Sequence, residues 1–320
     1  MRRSIPAVVA LAAAMTLAAC GSSGSSGGGK KNLALIAGVK GDEFYITMNC
    51  GAQAEAKKQG VSLSFQGPDQ FDPSLQTPIV NAVAAKKPDA ILVAPTDTKA
   101  MFAPIKQASQ NSKIVLVDTT LDDASMAVSQ IASDNLGGGK AAGQELMKLM
   151  GSGGGKVMVM SVKPGISTTD LRAQGFKQAT QGQPGIQDLG VQFDNDDPAK
   201  AASIVSATLA AHPDLKGIFA TNLFSAEGAA TALRQQGKLG QVKIVGFDAG
   251  PKQVHDLNTG VVQALIAQKP GVIGADGVDQ AVAALNGKPT TKKIGTGFVV
   301  VTKQNQSDPN VSKYLYKASC

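Results

Sequence analysis

Residues 33–60 read LALIAGVKGDEFYITMNCGAQAEAKKQG, and the order of residue types in this stretch decides the fold. An apolar run, 33–39, comes first, and a glycine-bracketed turn, 38–41, follows. A helical pattern then places Ile46, Cys50, Ala54 and Lys57 at spacings of three and four. Apolar strand, tight turn and amphipathic helix make the first half of a βα unit. The aromatic pair Phe44 and Tyr45 falls where the turn becomes the helix, in a chain with three tyrosines and no tryptophan. In an open α/β sheet ligands bind outside the carboxyl ends of the strands, so this pair is expected at a ligand crevice.

The same rhythm runs outward from this unit. Further strands are expected at 61–66, 89–94, 113–118, 128–132, 156–161, 190–193, 217–221, 242–247, 261–267 and 298–301, with helices between most of them. Near-continuous apolar strands alternating with amphipathic helices indicate an α/β fold whose parallel sheets are covered on both faces. A seam at Ser133 and Asp134 divides two similar runs. The chain from Asn32 onward is too long for one typical domain and suits two lobes. The tail after Lys303 is polar.

Polar side chains end the apolar strands. Asp118 follows 115–117, Asn222 follows 219–221, Asp248 follows 245–247, and Gln268 follows 265–267; Asp42 holds the equivalent place after the first strand. Asp, Asn and Gln together offer acceptors and donors, which suits a ligand covered in hydroxyl groups. Any one of them also suits a helix cap or turn, as Asp and Asn commonly do. Five at one edge favour a site.

The two ends of the chain carry other signals. Arg2 and Arg3 precede an apolar stretch, 5–17, that is too short to span a bilayer comfortably. It ends in Leu17, Ala18, Ala19 and Cys20, which resembles the lipobox of bacterial lipoproteins. That resemblance implies cleavage before Cys20 with lipid on its thiol; the other reading is an ordinary secretory signal with a chance cysteine. Residues 21–31 (GSSGSSGGGKK) form a Gly/Ser linker with a mean reach of roughly 18 Å. Setting Cys20 aside leaves Cys50 and Cys320, and in an exported protein an even count invites a disulfide. A Cys50–Cys320 bridge would tie the tail to the first lobe; otherwise Cys50 is a small buried apolar residue and the tail thiol is free.

Several functions are disfavoured. Net charge is +7, and +5 without Arg2 and Arg3, but the lysines are scattered and no basic stripe carries interleaved aromatics, which argues against nucleic-acid binding. The glycine runs before Lys140 and Lys156 lack P-loop spacing and order. The two histidines, His212 and His255, lie near no cluster of metal-ligand spacing. No G-x-S-x-G elbow is present. The paired acids Asp122–Asp123 and Asp196–Asp197 read as solvated turns. No catalytic residue, metal or cofactor is expected, and the chain is not expected to be an enzyme.

At these residues the chain resembles the type I periplasmic sugar-binding proteins, in particular their ribose-binding branch. The pieces that carry the likeness are Phe44 and Tyr45 with Gly51 and Ala52; Pro95, Thr96 and Asp97; residues 130–135 (QIASDN); Gly138, Gly139 and Lys140; Arg172 three residues before Gly175 and Phe176; residues 245–248 (VGFD); and Ile266, Ala267 and Gln268. The resemblance implies two Rossmann-like lobes with parallel sheets, joined by three hinge crossings near Ser133–Asp134, Gln268–Lys269 and Gly295–Gly297. It divides the chain into a signal peptide (1–19), lipidated cysteine and linker (20–31), an N-terminal lobe (32–133 plus 269–295), a C-terminal lobe (134–268 plus 296–304) and a tail (305–320). It also implies that Phe44 and Tyr45 pack on a sugar ring and that Asp118, Arg172, Asn222, Asp248 and Gln268 are polar ligand contacts.

This chain departs from the ribose pattern in four places. Thr119 stands where the branch has Arg, Asp42 where it has Asn, and Ala94 where it has Asn. An acid near Asp196 replaces a second-lobe aromatic, for which Phe224 is the substitute. A pentose, hexose or cyclic polyol other than ribose fits such a site. The function implied is an extracytoplasmic, lipid-anchored, monomeric solute-binding protein that delivers its ligand by hinge closure to an ABC permease and its ATPase. Two alternatives are a sensor presenting ligand to a membrane receptor and a secreted lipid-anchored enzyme.

Overall fold

In a computed structural model that describes Met1 and residues 30–320, the first half of the chain alternates strand and helix. It runs β1 (Asn32–Ile36), α1 (Glu43–Lys58), β2 (Ser62–Gln66), α2 (Pro73–Ala85), β3 (Ala90–Val93), α3 (Phe102–Ala108), β4 (Lys113–Val117) and β5 (Ala127–Ser133). The rhythm restarts with α4 (Asn135–Met150), β6 (Gly155–Ser161), α5 (Ser167–Thr180), β7 (Ile186–Phe193) and α6 (Pro198–Ala211). It continues through β8 (Leu215–Ala220), α7 (Leu223–Gln235), β9 (Lys243–Phe247), α8 (Pro251–Asn258) and β10 (Ala264–Ala267). The chain closes with α9 (Pro270–Leu285), β11 (Lys293–Thr296), β12 (Val299–Thr302) and the single turn α10 (Pro309–Ser312). Cys20 and the linker to residue 29 lie outside the described residues.

Two six-stranded sheets result, in the orders β11-β5-β4-β3-β1-β2 and β12-β10-β9-β8-β6-β7. The inner strands β1, β3 and β4 are buried along their length apart from their first polar residues. That is the burial expected of parallel strands covered by helices on both faces. Each sheet reverses its order beside one strand: β1 lies between β2 and β3, and β6 lies between β7 and β8. Such switch points open a crevice at the carboxyl ends of the strands.

The chain passes between the sheets after β5, after β10 and between β11 and β12. After the second passage α9 returns to pack on α1 and on β3, β4 and β5. The passages are bonded to one another. Ser133 Oγ donates to Gln268 Oε1 at 2.7 Å, and Asp134 N donates to Thr296 O at 2.9 Å.

Three features differ from expectation. First, the segment expected as one strand at 298–301 is preceded by another. β11 extends the first sheet parallel to β5, and β12 pairs antiparallel with β10. The parallel strands of the second sheet end at the crevice, whereas β12 begins there, directly after β11, so it must run the opposite way. Second, the buried stripe of α1 is Phe44, Tyr45, Met48, Ala52 and Ala56, not the stripe of Ile46, Cys50, Ala54 and Lys57. Spacing admits both stripes; burying Phe44 and Met48 removes more apolar surface from water. Third, the tail expected to be polar buries Val311 and Tyr316. The expected Cys50–Cys320 bridge is present, with the two Cα atoms 5.3 Å apart.

Candidate functional site

Strand ends from both sheets face each other across one cleft. The first lobe lines it with Asp42, Phe44, Tyr45, Phe71 and Asp118. Asp42 caps α1, accepting from Phe44 N at 2.7 Å, and so fixes where the aromatic pair leaves the turn. The Phe44 and Tyr45 rings meet edge to face, their centroids 5.1 Å apart. Tyr45 Oη donates to Asp118 Oδ2 at 2.8 Å. Burial, followed by the charges of Asp248 and Asp196, raises the Asp42 carboxyl well above its usual range. Burial likewise raises Asp118 to about 6, against the opposing pull of Arg172 and Tyr45.

Asp118 and Asp248 follow the fourth strand of their respective runs, β4 and β9. Both have left-handed backbones, with φ of 63° and 78°. Aspartate tolerates this conformation better than most side chains, yet it is uncommon outside glycine. Backbone strain of this kind concentrates at functional sites, and here both carboxylates line the cleft.

The second lobe contributes Arg172, which is buried on α5. Its Nε donates to Asn135 Oδ1 at 2.8 Å and its Nη1 to Thr221 O at 2.9 Å. Its guanidinium lies 3.9 Å from the centroid of the Phe247 ring. Nη2 has no hydrogen-bond partner among the described residues. The helix carrying Arg172 sits close to α4 because of two glycines. A Cβ at Gly139 would overlap the Arg172 carbonyl, and a Cβ at Gly175 would overlap that of Leu136. The glycine run before Lys140 therefore serves helix packing.

Asn222 caps α7 through Ser225 N and donates from Nδ2 to Asp196 Oδ1 at 2.5 Å. Burial first, then the charge of Asp194, raises Asp196 to about 7. This corrects the reading of Asp196–Asp197 as a solvated pair. Asp197 is an exposed cap of α6, but Asp196 lines the cleft. Asp248 Oδ1 accepts from Gln268 Nε2 at 2.7 Å and from Tyr316 Oη at 2.8 Å.

Two expected residues do not reach the cleft. Thr119 Oγ1 donates instead to Pro95 O at 2.7 Å. It follows Asp118, whose left-handed backbone turns the chain away from the line of β4. Phe224 lies two residues beyond Asn222, about 200° further round α7, and packs against the core. Conversely, the cleft includes Phe71, Thr169 and Asp196, and the tail supplies Tyr316 behind Asp248. Thr169 lies one helical turn before Arg172, a spacing that marks a shared face.

Thr169 Oγ1 is buried without a hydrogen-bond partner. A buried hydroxyl left unpaired costs about 1–3 kcal/mol. Thr169→Val keeps the shape and removes the hydroxyl, so the ligand-free protein should be at least as stable as wild type. Ligand affinity should fall about tenfold if a ligand hydroxyl completes that bond. Thermal melting and titration calorimetry on the one variant read both effects; unchanged affinity would mean that Thr169 does not contact ligand.

The lobes touch across the cleft mouth. Thr98 N donates to Gly165 O at 3.2 Å, Thr120 N to Ser167 Oγ at 3.0 Å, and Lys163 Nζ to Phe71 O at 3.1 Å. Among the described residues no group of three or more His, Cys, Asp or Glu side chains is placed to hold a metal ion, and no helix is long and apolar enough to cross a membrane.

The profile of the periplasmic binding protein domain matches residues 33–289. The ribose import binding protein of Escherichia coli (strain K12) is 34% identical over 276 residues, covering 86% of this chain and 92% of that protein. The D-ribose/D-allose-binding protein of Pseudomonas aeruginosa is 31% identical over 279 residues, covering 83% and 86%. Among solved structures, an ABC transporter solute binding protein from Agrobacterium vitis bound with α-D-tagatopyranose superposes with a TM-score of 0.88. It is 44% identical and covers 90% of this chain and all of that one. A carbohydrate transporter solute binding protein from Agrobacterium radiobacter, in complex with D-arabinose, superposes at 0.85 with 27% identity, covering 89% and 99%.

Proposed function

We propose, from the premise that this chain belongs to the periplasmic binding protein family, that it captures a sugar or cyclic polyol and delivers it to an ABC import permease. The observation that carries the reading is one cleft whose donors and acceptors come from both lobes and from the passage between them. A ligand favours the closed form only through contacts that closure adds, and this cleft supplies them from two sides. Hinge closure around ligand is the known motion of periplasmic binding proteins.

In this reading Phe44 and Tyr45 offer apolar faces to the C–H side of a ring. Asp42, Asp118 and Asp248 accept from hydroxyls, in the stronger, charge-assisted way where they are ionised. Arg172 donates to ring and hydroxyl oxygens, and Asn222 and Gln268 add amide contacts. The relatives are binding proteins, and the cleft works by binding rather than catalysis. The protein acts outside the cytoplasm as a monomer, since one chain completes the cleft. The residues 17–20 (LAAC) support a lipid anchor on Cys20.

A thermal-shift panel of D-tagatose, D-ribose, D-allose, D-arabinose, D-fucose and myo-inositol tests the function. A ligand at a hundred times its Kd stabilises the fold by about 2.7 kcal/mol, so at least one compound should raise the melting temperature clearly. A flat panel would refute sugar and polyol capture.

A further inference from the structure

Residues 303–320 leave the second sheet after β12, yet they end on α1 of the first lobe. Along the way Tyr316 N donates to Ala249 O at 3.0 Å, next to Asp248. Tyr316 Oη donates to Asp248 Oδ1 at 2.8 Å and accepts from Gln268 N at 3.1 Å. The Tyr316 ring, 5% exposed, meets Phe44 edge to face at 5.9 Å. Lys269 Nζ lies 4.9 Å from the Tyr314 ring, against the passage that follows Gln268. Finally, Lys317 N donates to Thr47 Oγ1 at 2.8 Å, and Cys320 is joined to Cys50. One short segment thus touches the second lobe, a passage between lobes and the first lobe.

We propose that this tail is a fourth connection between the lobes, fastened by the Cys50–Cys320 disulfide, in which Tyr316 is a positioning residue for Asp248 and Gln268. A polar segment with few buried side chains frays unless something ties it down. Here a covalent bond ties Cys320, and Tyr316 lies four residues before it. A phenol donating to a carboxylate makes a charge-assisted bond. Together with Gln268 Nε2 it occupies one oxygen of Asp248 and turns the other toward ligand. The same Oη satisfies the backbone N–H at the passage, so the hinge and the ligand-binding carboxylate share one support.

The disulfide also sets how far the cleft can open. Three passages alone permit rotation of one lobe against the other. A tail fixed to α1 limits that rotation to its own slack. A cleft that opens less loses less freedom on closing, which raises affinity without adding a contact. In an oxidising compartment the bond persists.

The opening limit is tested without any ligand. Small-angle X-ray scattering on the ligand-free protein should give a larger radius of gyration for Cys320→Ser, and for wild type treated with dithiothreitol, than for untreated wild type. Equal radii would overturn the fourth connection. The positioning role rests on the proposed function and is tested with the sugar that most stabilises wild type. Tyr316→Phe keeps the ring on Phe44 and should raise Kd about tenfold, the value of one lost bond to a charged group. In an Asp248→Asn background, titrated to millimolar sugar, the amide oxygen accepts without charge assistance, so the same change should cost clearly less. An unchanged Kd, or an equal loss in both backgrounds, would overturn the positioning role. If no sugar binds wild type, the proposed function fails, and the scattering comparison still decides the connection.

Discussion

Arg172→Ala is expected to weaken ligand binding by about a hundredfold or more, and to move the acid limb of binding to higher pH. Truncating one partner of a buried, hydrogen-bonded charge arrangement costs about 2–5 kcal/mol, and each 1.4 kcal/mol is tenfold in Kd. The cleft lining holds four carboxylates, Asp42, Asp118, Asp196 and Asp248, and the single guanidinium of Arg172. Removing Arg172 also leaves Asn135 Oδ1 and Thr221 O without their donor and uncovers the Phe247 ring. Melting temperature should therefore fall as well. Arg172→Lys separates charge from geometry, because an ammonium cannot fork to two acceptors while stacked on a ring.

The direction of the pH effect follows from Asp118, which sits at about 6 because burial raises it while Arg172 pulls it down. A neutral hydroxyl ligand donates to the ionised carboxylate, so binding is present above that value and lost as pH falls through it. Without Arg172 the carboxyl rises further, and binding is lost from a higher pH downward. Raising the buffer from about pH 7 to about pH 9 should then recover more affinity in Arg172→Ala than in wild type, where Asp42 and Asp196 are the raised carboxyls still to ionise. The ligand-free fold has the opposite slope. A carboxyl raised from about 3.9 when unfolded to about 6 contributes stability below the lower value, and that contribution is lost as pH rises through the upper. Parallel binding profiles for wild type and Arg172→Ala would remove Arg172 from control of Asp118.

The alternation of strands and helices was legible because the inner strands are continuous apolar runs, and those runs are buried as parallel strands must be. Polar residues ending them marked the cleft edge for the same reason: one edge of the sheet gathers every strand end. What the sequence hid depended on direction and distance. The reversal of β12 follows from where β11 ends, which no local pattern records. Thr119 and Phe224 had the right numbers along the chain, but they point away because the chain turns at Asp118 and residues rotate around a helix. Asp196 read as solvated because paired acids usually are, and its packing beside Asp194 and Asn222 at the cleft is set by residues distant in the chain. Tyr316 meets Asp248 across 68 residues, in a tail whose overall polarity masks two buried side chains. The orphan hydroxyl of Thr169 becomes visible only once its neighbours are packed around it.

Asp248→Ala is expected to weaken sugar binding on the order of a thousandfold while the fold survives. Oδ1 of Asp248 is occupied by Gln268 and Tyr316, and Oδ2 has no hydrogen-bond partner among the described residues, so the free oxygen is the one available to ligand. Losing a ligand bond to a charged acceptor costs about 1.5–3 kcal/mol. The substitution also leaves the Tyr316 hydroxyl and the Gln268 amide facing a missing acceptor, at about 1–3 kcal/mol for a buried donor. Together these raise Kd on the order of a thousandfold, which carries a micromolar ligand into the millimolar range. Stability should drop too, partly because alanine adopts the left-handed backbone of this residue at a cost of roughly 1 kcal/mol. Asp248→Gly separates the two effects. Glycine accepts φ of 78° without strain, so this variant should melt no lower than Asp248→Ala yet bind no better. Asp248→Asn keeps an acceptor in place and should lose less affinity than either. Calorimetry on the three variants orders the losses, and binding retained by Asp248→Gly would take the Asp248 carboxylate out of the site.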